Sequence, residues 1–249
     1  MSERCDRNRT DYRGGVVTTT PKAARPTPRP TPQITSPIAD FVDRLARVPA
    51  GPASVNMFAG TGDSALRRHN LELYLQAMLD RAPRVLLVGE APGYRGMRIT
   101  GVPFTNRTLL GSNSACFGLF GSENGYEIPA DLPHASAEPT ATVMWKVLTD
   151  LDFLPLLWSA YPLHPHRPGN LQSNRTPSTA EVALGLPIWR DLRKLFSIET
   201  TVAVGNVGYR SITQAGESVT RVRHPAHGGK VEFANGLRAM LDQDSTTGR

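Results

Sequence analysis

Cysteine is nearly missing from this 249-residue chain, which has only Cys5 and Cys116. The two lie far apart, which excludes a disulfide framework and a four-cysteine metal site. Cys116 reads as a small core residue. Long apolar runs are missing as well: no stretch of 18 apolar residues occurs, and the amino terminus has no apolar signal region, which points to a soluble, cytoplasmic protein with no membrane partner. No internal repeat is found, so a solenoid is not expected.

Excess charge is scarce outside the first residues. The formal net charge is +6, but residues 1–36 hold seven Lys and Arg against Glu3, Asp6 and Asp11. The remainder has 21 basic and 19 acidic residues, a net of +2. Any face that binds a polyanion must therefore come from local clustering. The stretch Thr18 to Pro32 repeats Pro and Thr and has no large apolar side chain. Residues 1–36 are accordingly expected to be a disordered basic tail, in which Arg25 and Arg29 could meet phosphates or serve only solubility, and residues 37–249 a single domain.

With 39% apolar residues the chain can bury one substantial core. Its most informative stretch runs from Val85 to Gly96. Val85 to Val88 is an apolar run of strand length, and Gly89, Pro92, Gly93 and Gly96 continue neither strand nor helix. The pattern predicts a buried parallel strand ending in a tight loop. In open α/β sheets such loops bind ligands, because glycines let the backbone approach an anion or a polar ring. The glycines match neither Gly-x-Gly-x-x-Gly nor a Walker loop.

Apolar spacing predicts helices over Ile38–Val48, Asp63–Arg81, Ala141–Leu151, Thr179–Phe196, Val207–Ala215 and Lys230–Leu241, with a break or bend at Pro187. Arg107 to Phe120 is expected to be partly helical, and Arg67, Arg68 and Glu72 mostly solvated. Further strands are expected at Leu154–Ala160, Thr201–Val204 and Val219–Val222. Four short strands separated by helices give an α/β class, specifically a three-layer α/β/α sandwich with a central four-stranded, mainly parallel sheet.

The loops after these strands carry a constellation that resembles the uracil-DNA glycosylase superfamily. Gly89-Glu90-Ala91-Pro92-Gly93 is similar to the first motif of the branch that usually carries an iron–sulfur cluster. Gly101-Val102-Pro103-Phe104 resembles its Gly-x-Pro-Phe segment, Asn174-Arg175-Thr176-Pro177 its Asn-Arg-x-Pro stretch, and His224-Pro225-Ala226 its carboxyl-terminal His-Pro motif. The likeness covers about residues 56–241. It implies a monofunctional DNA glycosylase that hydrolyses the N-glycosidic bond of uracil or another damaged base, with DNA as partner and no cofactor or metal.

By resemblance, Phe104 stacks on an extruded base, and His224 donates to the base oxygen that gains charge. Backbone N–H groups around Glu90 and Ala91 assist. Glu90 orients the attacking water or touches the base edge, or else fixes the loop. Gly89, Ala91, Gly93 and Ser159 border the base. Arg167, Arg175, Arg223, His227 and Lys230 face DNA, as His164, His166 and Asn174 are expected to do; a metal at His164-Pro165-His166 is the weaker reading. Arg221 is a further cation of the same kind.

Departures from the pattern are as informative. Ala91 stands where the best-known branch has a water-activating Asp, and four cluster cysteines are not available. Ser159 stands where many relatives have Asn, Gly93 where some have Tyr, and Gly96 where the cluster-bearing branch has an acidic residue. The two glycines suggest a roomier pocket. A DNA-binding module of this fold without catalysis, or an unrelated nucleotide-acting α/β enzyme, stays open on the sequence alone.

Overall fold

The computed structural model describes residues 36–113, 116–135, 138–214 and 216–247. The basic Pro/Thr-rich segment lies almost wholly outside them. Helix α1 (Pro37–Ala46) opens the described chain, with Ser36 as N-cap and Ile38, Phe41, Val42 and Leu45 buried. Its carboxyl end is closed by Asn56, whose Nδ2 donates to the carbonyls of Leu45, Ala46 and Val48. Strand β1 (Ser54–Val55) and helix α2 (Asp63–Arg81) follow. Leu71, Tyr74, Leu75 and Met78 of α2 face the core, at the helical spacing that the sequence carries.

Strand β2 (Val85–Gly89) is buried at every residue. The crossover after it holds two one-turn helices, α3 (Met97–Thr100) and α4 (Arg107–Leu110), then 3-10 turns at Cys116–Gly118 and Ser122–Asn124. Helix α5 (Pro139–Asp150) leads to strand β3 (Leu156–Ser159) and the short β4 (His164–Pro165). Helix α6 (Thr179–Leu195) starts in a capping box between Ser178 and Glu181 and runs unbroken through Pro187. The expected break is absent: an interior proline costs one ladder hydrogen bond and crowds the carbonyl four residues back, and the burial of Trp189 and Leu192 beyond it holds the helix together. Strand β5 (Thr200–Val204), helix α7 (Gly205–Gln214), strand β6 (Thr220–Val222) and helix α8 (Lys230–Thr247) complete the order.

The main sheet has the order β3-β2-β5-β6, and every pairing in it is parallel. The central strand β2 lies between β3 and β5, in register Gly89 opposite Ser159 and Val88 opposite Ala203. A parallel sheet needs cover on both faces, and the flanking helices make this the expected α/β/α sandwich. β1 pairs antiparallel with β4, so Ser54 lies opposite Pro165. No helix among the described residues is long and apolar enough to cross a membrane.

Two expectations about side chains fail for a shared reason. Arg67 is 5% exposed, not solvated. Its Nε donates to the Ile99 carbonyl at 3.1 Å and its Nη2 to Asp131 at 2.9 Å, because the long crossover after β2 folds back over that side of α2. His164 and His166 are likewise buried, at 0% and 5% exposure, and do not face outward. The first has its ring nitrogens beside the carbonyls of Pro92 and Leu171, and the second lies beside that of Arg167. These imidazoles tie loops together from within.

Candidate active site

The strand ends fix where the motifs meet. All four strands of the sheet are parallel, so their carboxyl ends open on one side, the usual ligand side of such a sheet. The β2–β3 ladder continues past the strands: Ala160 N–H donates to Gly89 O at 3.0 Å, and Tyr161 N–H to Glu90 O at 3.1 Å. The backbone of Gly89 and Glu90 is thereby held as firmly as a strand, although Glu90 already belongs to the loop.

A cleft of about 330 Å³ opens there, lined by Glu90, Ala91, Pro92, Gly93, Glu138, Thr140, Asn174, Arg175, Thr176, His224, Ala226 and His227. Residues from the first, third and fourth motifs thus border one space. A second depression, of about 470 Å³, lies on another part of the surface, lined by Glu199, Thr200, Thr201 and Thr220 among others. It contains none of the motif residues and lies at the amino-terminal ends of β5 and β6, which leaves the cleft as the candidate site.

Phe104 is placed by contact with Gly89. A β-carbon on Gly89 would collide with Cζ of Phe104 and lie 3.1 Å from its Cε2. Only glycine lets the Cζ tip of the ring come this close to the end of β2. Phe104 itself has φ +50°, a left-handed conformation that is costly for a bulky residue. Its carbonyl accepts a hydrogen bond from Trp145 Nε1 at 2.9 Å, which holds the turn from inside the core. Ser159 is beside Gly89 in the ladder and 4% exposed.

His224 follows β6. Its Nδ1 accepts a hydrogen bond from Ala226 N–H at 3.2 Å, so in the neutral ring the proton sits on Nε2. Burial lowers its pKa, and Arg223 and His227 lower it further. The ring is a neutral donor with a fixed tautomer.

Two carboxylates border the cleft. Burial raises the pKa of Glu90, opposed by the Thr176 side chain and by Arg210. Glu138 is the site residue that sequence reasoning missed. Its only local signal is a place before Pro139, which reads as a helix start. The carboxylate occupies the side-chain space of two glycines: a β-carbon on Gly93 would lie 2.8 Å from Oε2, and one on Gly96 would collide with it. The glycines therefore do not enlarge the pocket. They admit a carboxylate from elsewhere in the chain. Burial pushes its pKa up to about 7, against the pull of Arg95.

The Asn174–Pro177 stretch acts as a brace. Asn174 Oδ1 accepts from Tyr94 N–H at 2.9 Å, just beyond Gly93. Arg175 directs all its N–H groups inward, to the carbonyls of His166, Thr176 and Ala53 and to both oxygens of Glu181. Although Arg175 borders the cleft, its guanidinium is engaged within the protein and has no free N–H for a phosphate. Arg167, Arg223, His227 and Lys230 are exposed. Among them, His227 lines the cleft, with φ +52°, beside Gly228 at φ +78°. Arg221 bonds Asn206 at 3.1 Å and lies over the ring of Tyr209.

A family model described as the uracil DNA glycosylase superfamily matches residues 77–240. The chain belongs to this superfamily. The match takes in β2, the glycine loop, the brace and the His-Pro turn, all of the cleft. Members of the superfamily are DNA glycosylases, hydrolases that act on DNA. Among solved structures the chain is similar to the crystal structure of wild-type SMUG2 from Pedobacter heparinus. The TM-score is 0.58 with 16% identity over 84% of this chain and 98% of that one. At that identity the likeness speaks for the shared glycosylase fold. No curated protein matches the sequence.

The iron–sulfur cluster of one superfamily branch does not fit these residues. It needs four thiolates, whereas Cys116 is buried with its thiol pushed up to about 12 by desolvation, and Cys5 is the only other cysteine.

Proposed function

We propose that this protein is a monofunctional DNA glycosylase that extrudes a damaged base, uracil or another lesion, and hydrolyses its N-glycosidic bond. What carries the reading is the meeting of Glu90, Ala91, Gly93 and His224 in one cleft beside the Gly89–Phe104 contact. Extruding a base costs a few kcal/mol of stacking, which an aromatic platform offsets. Phe104, held in a strained turn by Trp145, supplies that platform. Gly89 and Gly93 make room for the Phe104 ring and the Glu138 carboxylate, Ala91 presents only a methyl to the base, and Ser159 offers it a hydroxyl.

As the C1′–N bond breaks, its electron pair moves onto the base and negative charge builds on the base oxygen. The Nε2–H of His224 is the donor for that charge. A preorganised donor of this kind is worth about 2.7–4 kcal/mol in the transition state. Glu90, whose backbone carbonyl accepts from Tyr161 N–H, meets the base edge. Arg167, Arg223 and Lys230 contact phosphates, and His227, in its left-handed turn, enters the gap left by the extruded nucleotide. Arg175 serves DNA indirectly, by fixing the loops that do the touching.

The test is a panel of oligonucleotides, each with one uracil, other deaminated base or mismatch, incubated with the protein and then cleaved with alkali. Strand scission that needs the alkali step supports the reading. Ala91 in place of a carboxylate favours a second reading, a binding module without catalysis. Duplex binding without scission on any lesion would select it.

A further inference from the structure

Ala91 stands where the best-known branch has its water-activating Asp, and beside Glu90 the cleft holds a second carboxylate, Glu138. We propose that Glu138, from the start of α5, is the base that takes a proton from the attacking water. This rests on the glycosylase reading above and names the residue that completes it.

The geometry makes the case. Gly93 and Gly96 lack the side chains that would displace the carboxylate, whose oxygens lie 2.8 and 3.0 Å from a β-carbon built on Gly93. A carboxylate is kept in that space, against the loop that carries Glu90, and His224 lines the same cleft. None of the described residues donates a hydrogen bond to it, although Asn106 Nδ2 holds its backbone carbonyl at 3.0 Å and fixes where the residue sits. A structural carboxylate is normally bonded to donors, as Glu181 is to Arg175 and Ser178. Glu138 has its acceptor capacity open toward the cleft.

Glu90 is less suited to the same work, because Thr176 and Arg210 favour its charged form and so weaken it as a base. The pKa of Glu138, about 7, is that of a base poised at neutral pH. The charged and titratable groups around it are Arg95 of the glycine loop, Glu90, the Glu181-bound Arg175, His224 and His227. The step balances. A water O–H proton passes to the Glu138 carboxylate as the oxygen bonds C1′, and the electron pair of the C1′–N bond leaves with the base, whose oxygen is held by His224 Nε2–H. The base anion later takes a proton, and Glu138 returns its own to solvent.

Single-turnover excision from a duplex that the wild type cleaves, measured from pH 5 to 9, tests this. The wild-type rate should rise with pH through an ionisation near 7 and level off. Glu138→Gln should lose that rise and slow by about 10²–10⁴-fold at the plateau, while binding an abasic-site duplex as the wild type does. Formate should restore part of the rate to Glu138→Ala, a result that a structural role does not produce. Glu138→Gln with the wild-type rate and pH profile would overturn the assignment and leave the glycosylase reading intact. A wild type that cleaves no lesion would overturn both.

Discussion

The Cζ end of the Phe104 ring occupies the side-chain space of Gly89, so the ring abuts the end of the central strand. Gly89 cannot take a side chain while the ring stays there.

Gly89→Ala should therefore displace the ring. Overpacking of this kind costs about 1–3 kcal/mol, and the thermal midpoint should fall accordingly. Excision should fall more than stability accounts for, because the ring no longer lies where a base stacks. Phe104→Ala removes the platform without the collision, and should weaken binding of duplex carrying an uncleavable lesion analogue by about 5- to 150-fold. Unchanged affinity in Phe104→Ala would remove the stacking role.

His224→Ala should slow excision by about 10²–10³-fold with little loss of DNA binding, since the donor works only as charge builds on the base. Burial, Arg223 and His227 hold the imidazole pKa below its ordinary 6.5. The ring thus stays neutral at pH 7, and any loss of rate from its protonation belongs below pH 6.5. A rate limb above that value which vanishes in His224→Ala would contradict the neutral-donor role.

Glu138 carries a stability prediction independent of any substrate. Its pKa is about 7 in the folded protein against an ordinary 4.5, so between those values the folded state binds more protons than the unfolded one. Stability contributed by the protonated carboxyl is present below pH 4.5 and is lost as pH rises through about 7. Glu138→Gln should thus raise the melting temperature at pH 8 more than at pH 5. Thermal melts at the two pH values decide it, and an equal shift at both would deny the burial of an unpartnered carboxylate.

The cations divide into two kinds. Arg175→Ala strands Glu181 and frees three carbonyls from their donor. It should cost about 1–3 kcal/mol of stability, seen as a lower denaturation midpoint at any salt concentration. Arg223→Ala and Lys230→Ala should leave stability within about 0.5 kcal/mol. Each should instead reduce the slope of log affinity against log salt by about 0.9, the signature of one lost phosphate contact. A reduced slope in Arg175→Ala alone would reverse these roles.

Much of this architecture is written locally. Apolar periods fix the helices and strands because burial acts on every side chain of a repeating face, as at Leu71, Tyr74, Leu75 and Met78. The glycine loop and the His-Pro turn are legible for the same reason: strand-end chemistry needs particular residues within a few positions of each other, and Ala226 fixes the tautomer of His224 from two residues away. Where the sequence runs short is in pairings across long separations. Arg67 looks solvated until the crossover after β2 brings Asp131 to it. Arg175 looks like a phosphate ligand until Glu181 and three carbonyls surround it.

By itself, then, the order of residues determined a parallel α/β sheet with its chemistry at one set of loop ends, since local sterics and burial leave little choice there. Only the tertiary structure decided that Gly93 and Gly96 are places for the carboxylate of Glu138, because a glycine's missing side chain says that space is needed and not what fills it.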